Sequence, residues 1–275
     1  MKYSIVIPVF NSGSKIVTTI ESLLQQASVL KGADSVHVIV VDGASTDDTL
    51  EHVRAFDDPR IDIISEPDNG MYDALAKGLA KISESDVTSY LPAGERYDRY
   101  TFEIVSMVFG KYEKIKWLTG RAIARNCFGH IHDGRLRHPF HRNLIDCGMY
   151  GTRLDAIQQE STLWRSSEDF QIDLERLKTF KLAGDYFLWK SLAKQNELHV
   201  VNAHLGSFTF EGDQLSQQVP GAYRAEMRTI RRKPTVLERL HGLVLRKREK
   251  RTLPKPSASR MVTFHLDSEE WVLND

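Results

Sequence analysis

Residues His37–Leu50 read HVIVVDGASTDDTL, and the fold turns on how this stretch is interpreted. Val38, Ile39, Val40 and Val41 form an unbroken apolar, mostly β-branched run, the composition of a parallel strand covered on both faces. The run enters an acidic turn, Asp42-Gly43-Ala44-Ser45, and then a segment with helix-start chemistry. Ser45 or Thr46 supplies a cap, and Asp47 and Asp48 fall in the first turn, where the helix dipole favours negative charge. The expected helix covers Thr46–Ala55. Asp42 then sits at the carboxyl end of a central strand, the edge at which open α/β sheets bind ligands. Taken alone, the stretch reads equally well as a capped strand-to-helix turn with no ligand.

The neighbouring sequence extends the pattern in both directions. Ser4–Ile7 is expected as a buried strand stopped by Pro8, followed by a loop and a helix striped by Ile16, Ile20, Leu23, Leu24 and Ala27. After the central strand come a short strand at Ile61–Ile64, a polar loop at Ser65–Gly70, a helix over Met71–Ile82 and a strand at Val87–Leu91. Such alternation predicts a parallel sheet with right-handed crossovers. Beyond Tyr97 the pattern loosens. Thr101–Phe109 reads as a helix, Ile115–Ile123 as one or two strands, Tyr186–Lys194 as a helix, and Leu198–Val201 and Ser207–Phe210 as strands. Gly221–Arg251 reads as a basic helical region broken at Pro234. An apolar patch follows Pro254 and Pro256 (Met261, Val262, Phe264, Trp271, Val272); it could fold back onto the domain, and no pattern places it.

Composition narrows the function classes. The 275 residues are 41% hydrophobic and 27% charged, with 37 basic and 37 acidic side chains, so no net charge points to nucleic acid. The basic excess gathers after Tyr223. Cys127 and Cys147 are the two cysteines, which argues against a disulfide framework and fits a reducing compartment. The opening MKYSIVIPVFNSG has too short an apolar run for a signal peptide, and no run of about 18 apolar residues occurs. A cytoplasmic location is the expectation. Neither GxGxxG nor GxxxxGK[ST] is present, which weakens dinucleotide and P-loop readings.

Polar clusters fall after or between the expected strands: Phe10-Asn11, Asp42, Asp68-Asn69-Gly70 and Pro92-Ala93-Gly94-Glu95. Acids at one sheet edge repel unless a cation or a hydrogen-bonding ligand offsets them. A nucleotide with a bridging divalent ion is one such ligand.

In order and spacing these pieces resemble family 2 of the inverting glycosyltransferases, the nucleotide-sugar enzymes with the GT-A fold. The resemblance rests on Ser4–Asn11, Val41–Thr49, Ser65–Ala74 with Lys77-Gly78, Gln158–Arg165, Ala183–Trp189, and Phe208 with Gly212–Ser216. It covers about residues 3 to 217. It implies an α/β fold: a GT-A-like single domain with a mostly parallel central sheet flanked by helices, plus a basic helical C-terminal extension. The implied division is residues 1–218 for the glycosyltransferase domain (1–97 nucleotide-sugar-binding, 98–218 acceptor and catalytic) and 219–275 for the extension.

The resemblance also implies roles. Asp185 stands where the family carries the base that takes a proton from the acceptor hydroxyl; the competing account makes it an N-cap for a helix beginning at Tyr186. Phe10, Asn11, Asp42, Asp68, Gly70, Tyr72, Asp73 and Lys77 match donor-binding positions, with Tyr72 and Lys77 otherwise an ordinary helix face. Gln159, Glu160 and Trp164 fall near the acceptor or the sugar, with a structural role for Glu160 as the alternative. One departure concerns the metal. The family ends its fourth strand in paired aspartates, whereas this chain has Leu91-Pro92-Ala93-Gly94-Glu95, leaving Glu95 as the expected ligand for Mg²⁺ or Mn²⁺.

The implied activity is transfer of a sugar, with inversion, from a nucleotide diphosphate sugar to a saccharide or lipid-linked saccharide hydroxyl, in surface polysaccharide biosynthesis. Two rivals remain: a non-catalytic sugar-nucleotide or glycan-binding relative that lost the metal site, and a nucleotidyltransferase releasing pyrophosphate. Residues 224–251 pair many cations with Leu237, Leu240, Leu243, Val244 and Leu245. That composition fits peripheral contact with an anionic membrane, or else a basic helix packed on its own domain. His130, His132, His138 and His141 lie among arginines at spacings that match no zinc pattern.

Overall fold

The computed structural model describes residues 1–275 except 127, 135, 137, 167–170, 210–220, 252–254, 256–257 and 275, and the side chains at 122, 132, 133, 250 and 251 are not described. Cys127, Arg135, Arg137, the end of the expected strand at Phe210, the Gly212–Ser216 motif, Pro254 and Pro256 therefore lie outside the described residues.

The first part alternates as β1 (Lys2–Val9), α1 (Lys15–Leu24), α2 (Ala27–Leu30), β2 (Ser35–Asp42), α3 (Thr49–Arg54), β3 (Ile61–Ser65), α4 (Met71–Lys81) and β4 (Val87–Tyr90). There follow β5 (Arg96–Tyr97), α5 (Thr101–Lys111), β6 (Trp117–Arg125), β7 (Ile131–Asp133) and α6 (Arg142–Asp146). A single 3-10 turn at Gln159–Ser161 leads into β8 (Thr162–Arg165), α7 (Leu174–Leu177), α8 (Gly184–Leu192) and β9 (Leu198–Thr209). The chain continues through α9 (Ala222–Ile230), α10 (Val236–Arg251), β10 (Met261–His265) and β11 (Glu270–Asn274).

One sheet crosses the molecule in the order β11-β10-β9-β6-β8-β4-β1-β2-β3. Strands β4, β1, β2 and β3 run parallel, and antiparallel β8 joins them to the parallel pair β6–β9. Alternation along each strand divides the core between the two faces. Tyr3, Ile5, Ile7 and Val9 of β1 and Val36, Val38 and Val40 of β2 pack with α1 and α5. Val6, Ile39 and Val41 point the other way, toward α4 and α8. Gly78 lets α4 approach closely, since a Cβ there would lie 2.3 Å from Val6 Cγ1.

Four expectations are corrected. Pro8 does not stop β1, because its missing N–H faces the side where β4 has already ended: Leu91 N–H reaches Val6 O (2.9 Å), two residues earlier. Helix α3 starts at Thr49 rather than Thr46, because Asp47 accepts from the Thr49 N–H (3.1 Å) and the Gly13 N–H (2.9 Å), holding residues 45–48 in a loop. Leu198–Thr209 is one strand, whose pairing with β6 shifts register between Thr119 and Ala122, where β9 carries the extra residues. Last, residues 219–275 are not a purely helical appendage. β10 pairs in parallel with β9, burying Met261 and Val262 completely.

Candidate functional site

The parallel strands β1 to β4 end along one edge, and a cavity of about 680 Å³ opens there. Phe10 and Asn11 after β1, Met71 and Tyr72 at the start of α4, Tyr90 at the end of β4, and Pro92, Ala93 and Glu95 after it supply one side. The 3-10 turn brings Gln159 and Glu160, α8 brings Asp185, and α9 brings Tyr223. Residues separated by more than 200 positions thus face one space.

The loops beneath this space are tied together. Asn11 N–H donates to Ser45 Oγ (2.8 Å), and Asn11 Oδ1 accepts from Thr46 N–H (2.9 Å). Ser12 N–H donates to Thr49 Oγ1 at 2.9 Å. These bonds fix the turn that leaves Phe10 61% exposed at the cavity wall, a flat apolar face presented to solvent. Tyr72, 3% exposed, donates to Leu182 O (3.1 Å), which links α4 to the segment before α8. The approach depends on Gly184, where a Cβ would stand 2.4 Å from the Tyr72 ring.

Asp185 lies in the first turn of α8, whose N-cap is Ala183, so it is not the cap of a helix beginning at Tyr186. Glu226 of α9 takes up the free amides ahead of that helix, accepting from Lys181 (2.9 Å), Leu182 (2.7 Å) and Ala183 (2.6 Å) N–H groups. Three residues earlier on the same helix, the Tyr223 hydroxyl donates to Asp185 at 3.0 and 3.1 Å to its two oxygens. Helix α9 is therefore clipped to α8 at two points. Burial pushes the Asp185 carboxyl up to about 6, opposed by the Tyr186 N–H and the Tyr223 hydroxyl. A carboxylate so placed is a competent proton acceptor near neutral pH.

Across the cavity, the Gln159 side-chain amide donates to Glu95. Burial, and then the adjacent Glu160 carboxylate, push the Glu95 carboxyl well above the usual range. Among the described residues, the buried Tyr90 hydroxyl and Gln159 Oε1 have no hydrogen-bond partner, and both residues border the cavity. Orphaned polar atoms at a cavity wall are positions for a polar ligand.

The same region tests the expected metal. Gly94, at φ +95°, replaces the first aspartate, and Lys15 Cβ and Cδ lie 3.9 Å from where a Cβ would project. Glu95 is engaged by Gln159. No group of three or more His, Cys, Asp or Glu side chains among the described residues is arranged to hold a metal ion. The described residues of this region do not form a metal centre. Instead two lysines, Lys15 and Lys181, border the cavity.

Asp42 is fully buried, accepting from Ser65 Oγ (2.7 Å) and Ser45 N–H (3.1 and 3.2 Å). Asp68 accepts from Gly70 N–H (2.7 Å) and lies against Gly43, whose Cβ would come within 2.6 Å of its carboxylate. Asp73 accepts from Asn69 N–H (2.9 Å), and Lys77 pairs with Glu66 (2.9 Å). These bonds brace the loops that follow β2 and β3, and neither these residues nor Gly70 is in the lining of this cavity. Trp164 is 3% exposed and packs edge-on to Trp189 at 6.3 Å, in the aromatic core rather than at the site. Glu95 and Asp185 line this cavity together, and Asp42 and Asp68 are not among its lining residues. Lys15, Lys181, Tyr90 and Tyr223 were not legible as site residues. Only the positive charge of the lysines offered a signal, and it does not distinguish them from surface lysines.

Residues 4–91, about a third of the chain, match the family described as glycosyl transferase family 2. No curated protein is significantly similar in sequence. Among solved structures, S. aureus TarS 1-349 in complex with UDP-GlcNAc is similar with a TM-score of 0.61 at 16% identity, over 84% of this chain and 65% of that one. S. aureus TarS 1-349 without a stated ligand gives 0.57 at 17% identity, over 76% and 60%. GalNAc-T7 with UDP, GalNAc and Mn²⁺ gives 0.59 at 16%, over 81% and 45%. At these identities the likeness is one of fold, the GT-A arrangement. The chain spans less than two thirds of each of these structures.

Proposed function

We propose that this chain, which carries the glycosyl transferase family 2 sequence over residues 4–91 and has the GT-A fold, transfers a sugar from a nucleoside diphosphate donor to a hydroxyl of a saccharide or lipid-linked saccharide, with inversion. The observation that carries this reading is the single cavity in which Asp185 faces Tyr72, Glu95 and Gln159 at the carboxyl edge of the sheet. The exposed ring of Phe10 suits a nucleobase face. Lys15 and Lys181 are suited to the diphosphate, as compact positive charges. Tyr90 Oη and Gln159 Oε1 suit sugar hydroxyls. Asp42, Asp68, Gly70, Asp73 and Lys77 serve the donor indirectly, by holding the loops that present Phe10, Asn11 and Tyr72.

In the step we assign, Asp185 takes the proton of the acceptor hydroxyl as its oxygen bonds to the anomeric carbon. The bond from that carbon to the diphosphate breaks, and the nucleoside diphosphate departs from the opposite face. Alignment of the two substrates in one cavity supplies part of the acceleration and the base another part. The stated partner of GalNAc-T7 includes Mn²⁺. In this reading Lys15 and Lys181 neutralise the charge of the diphosphate. We assign the reaction to surface polysaccharide assembly on the cytoplasmic side.

A second reading, a sugar-nucleotide or glycan-binding relative without turnover, is favoured by Gly94 and by the engagement of Glu95 with Gln159. A thermal-shift panel of UDP-GlcNAc and other nucleotide sugars, in EDTA and in Mn²⁺, followed by an assay of nucleoside diphosphate release, separates the possibilities. Stabilisation by one donor in EDTA, with release lost in Asp185→Asn, is the expected result. Stabilisation without release supports the second reading, and no stabilisation by any donor removes both.

A further inference from the structure

Helix α10 is attached to the domain by the face that its sequence makes least apolar. Glu238, Gly242 and Leu245 are buried, with Glu238 bonded to Arg232 (2.5 and 2.8 Å) and Gly242 against Met149. The opposite side carries Val236, Leu237, Leu240, Leu243 and Val244, which are 71%, 78%, 55%, 49% and 65% exposed. At about 100° per residue these five fall within an arc of roughly 120°. Soluble domains turn such a stripe inward, so an outward one marks a surface made to be covered.

Charge identifies what covers it. Arg239 and Arg246 border the stripe, and Lys247 lies within it toward the carboxyl end; all three are exposed, and none forms an ion pair among the described residues. The acidic residues of the helix, Glu238 and Glu249, are on the attached side and are not exposed. An apolar stripe with cations and no anions complements a surface that is negative outside and hydrocarbon within. No helix among the described residues is long and apolar enough to cross a membrane, so contact would be from one side.

We propose that α10 is a docking surface for an anionic lipid bilayer, with Leu237, Leu240 and Val244 entering the acyl boundary and Arg239, Arg246 and Lys247 at the headgroups. This assignment is independent of the activity proposed above. The protein is floated with vesicles of phosphatidylcholine alone and of phosphatidylcholine mixed with phosphatidylglycerol, an anionic lipid that makes the surface negative. Binding is expected to the anionic vesicles, to weaken with salt, and to fall at least tenfold in the triple variant Leu237→Ser/Leu240→Ser/Val244→Ser. Each of Arg239→Gln, Arg246→Gln and Lys247→Gln should weaken it about fivefold. Because these side chains are exposed, an unchanged melting temperature in the variants shows that the fold is intact. Failure to bind anionic vesicles, or binding that the triple variant retains, overturns the proposal. So does sedimentation showing that the stripe instead joins two copies of the chain.

Discussion

Asp185 carries opposing demands from stability and chemistry. Its carboxyl is raised from the usual 3.8 to about 6 in the folded protein. Folding therefore disfavours the ionised form: the penalty is absent below pH 3.8, grows as pH rises, and is complete above pH 6. Two units correspond to about 3 kcal/mol. Asp185→Asn should raise stability at pH 7.5 by about 1–3 kcal/mol, show no gain at pH 4, and abolish turnover, as followed by paired melts and donor-release assays. Tyr223 sets where this titration falls. Its hydroxyl pulls the Asp185 carboxyl down, so in Tyr223→Phe the acid limb of the rate profile should move above pH 6. An unmoved limb would separate Asp185 from the rate. Asp185 was expected at the site because an acidic residue stood in a recognisable motif, and it lines the cavity. Tyr223 was not: it pairs with Asp185 only because Glu226, one turn on, is drawn to the amides before α8.

Among the elements, α10 owes its start to a local device. Thr235 and Glu238 form a reciprocal cap, with Thr235 N–H to Glu238 Oε2 at 2.8 Å and Glu238 N–H to Thr235 Oγ1 at 3.2 Å. The Arg232 hydrogen bond does most to hold the Glu238 carboxyl down at about 2. A depressed carboxyl stabilises above pH 4.5 and loses that contribution as pH falls toward 2. Arg232 is partly exposed, so Glu238→Gln should cost only about 1 kcal/mol at pH 7, and less at pH 3, in denaturant melts. The elements were legible to different degrees. The run Val38–Val41 announced β2 because burial on both faces selects continuous β-branched residues. The α3 boundary was missed because Asp47 has two uses, helix dipole or loop acceptor, and only the proximity of Gly13 decides between them. Trp164 was misplaced because an aromatic residue in a motif does not disclose which sheet face it occupies.

The whole molecule joins distant segments of chain through one sheet. The apolar patch near the carboxyl terminus had no readable position, since a two-strand pattern does not name its partner; β9 provides it by offering a free edge to Met261 and Val262. Met261→Ala should cost about 2–5 kcal/mol, measured by urea unfolding, whereas a separate appendage would be indifferent to it. The same continuity brings α9 over the cavity and places Tyr223 beside Asp185. In the reading proposed above, the donor is held by the lysines and the orphaned polar atoms of the cavity.

A crystal structure of the protein with UDP-GlcNAc, grown in EDTA, tests this arrangement most directly. The diphosphate is expected beside Lys15 and Lys181, with the anomeric carbon on the side of the cavity that Asp185 faces. A donor bound outside this cavity, or one whose sugar points away from Asp185, would contradict it.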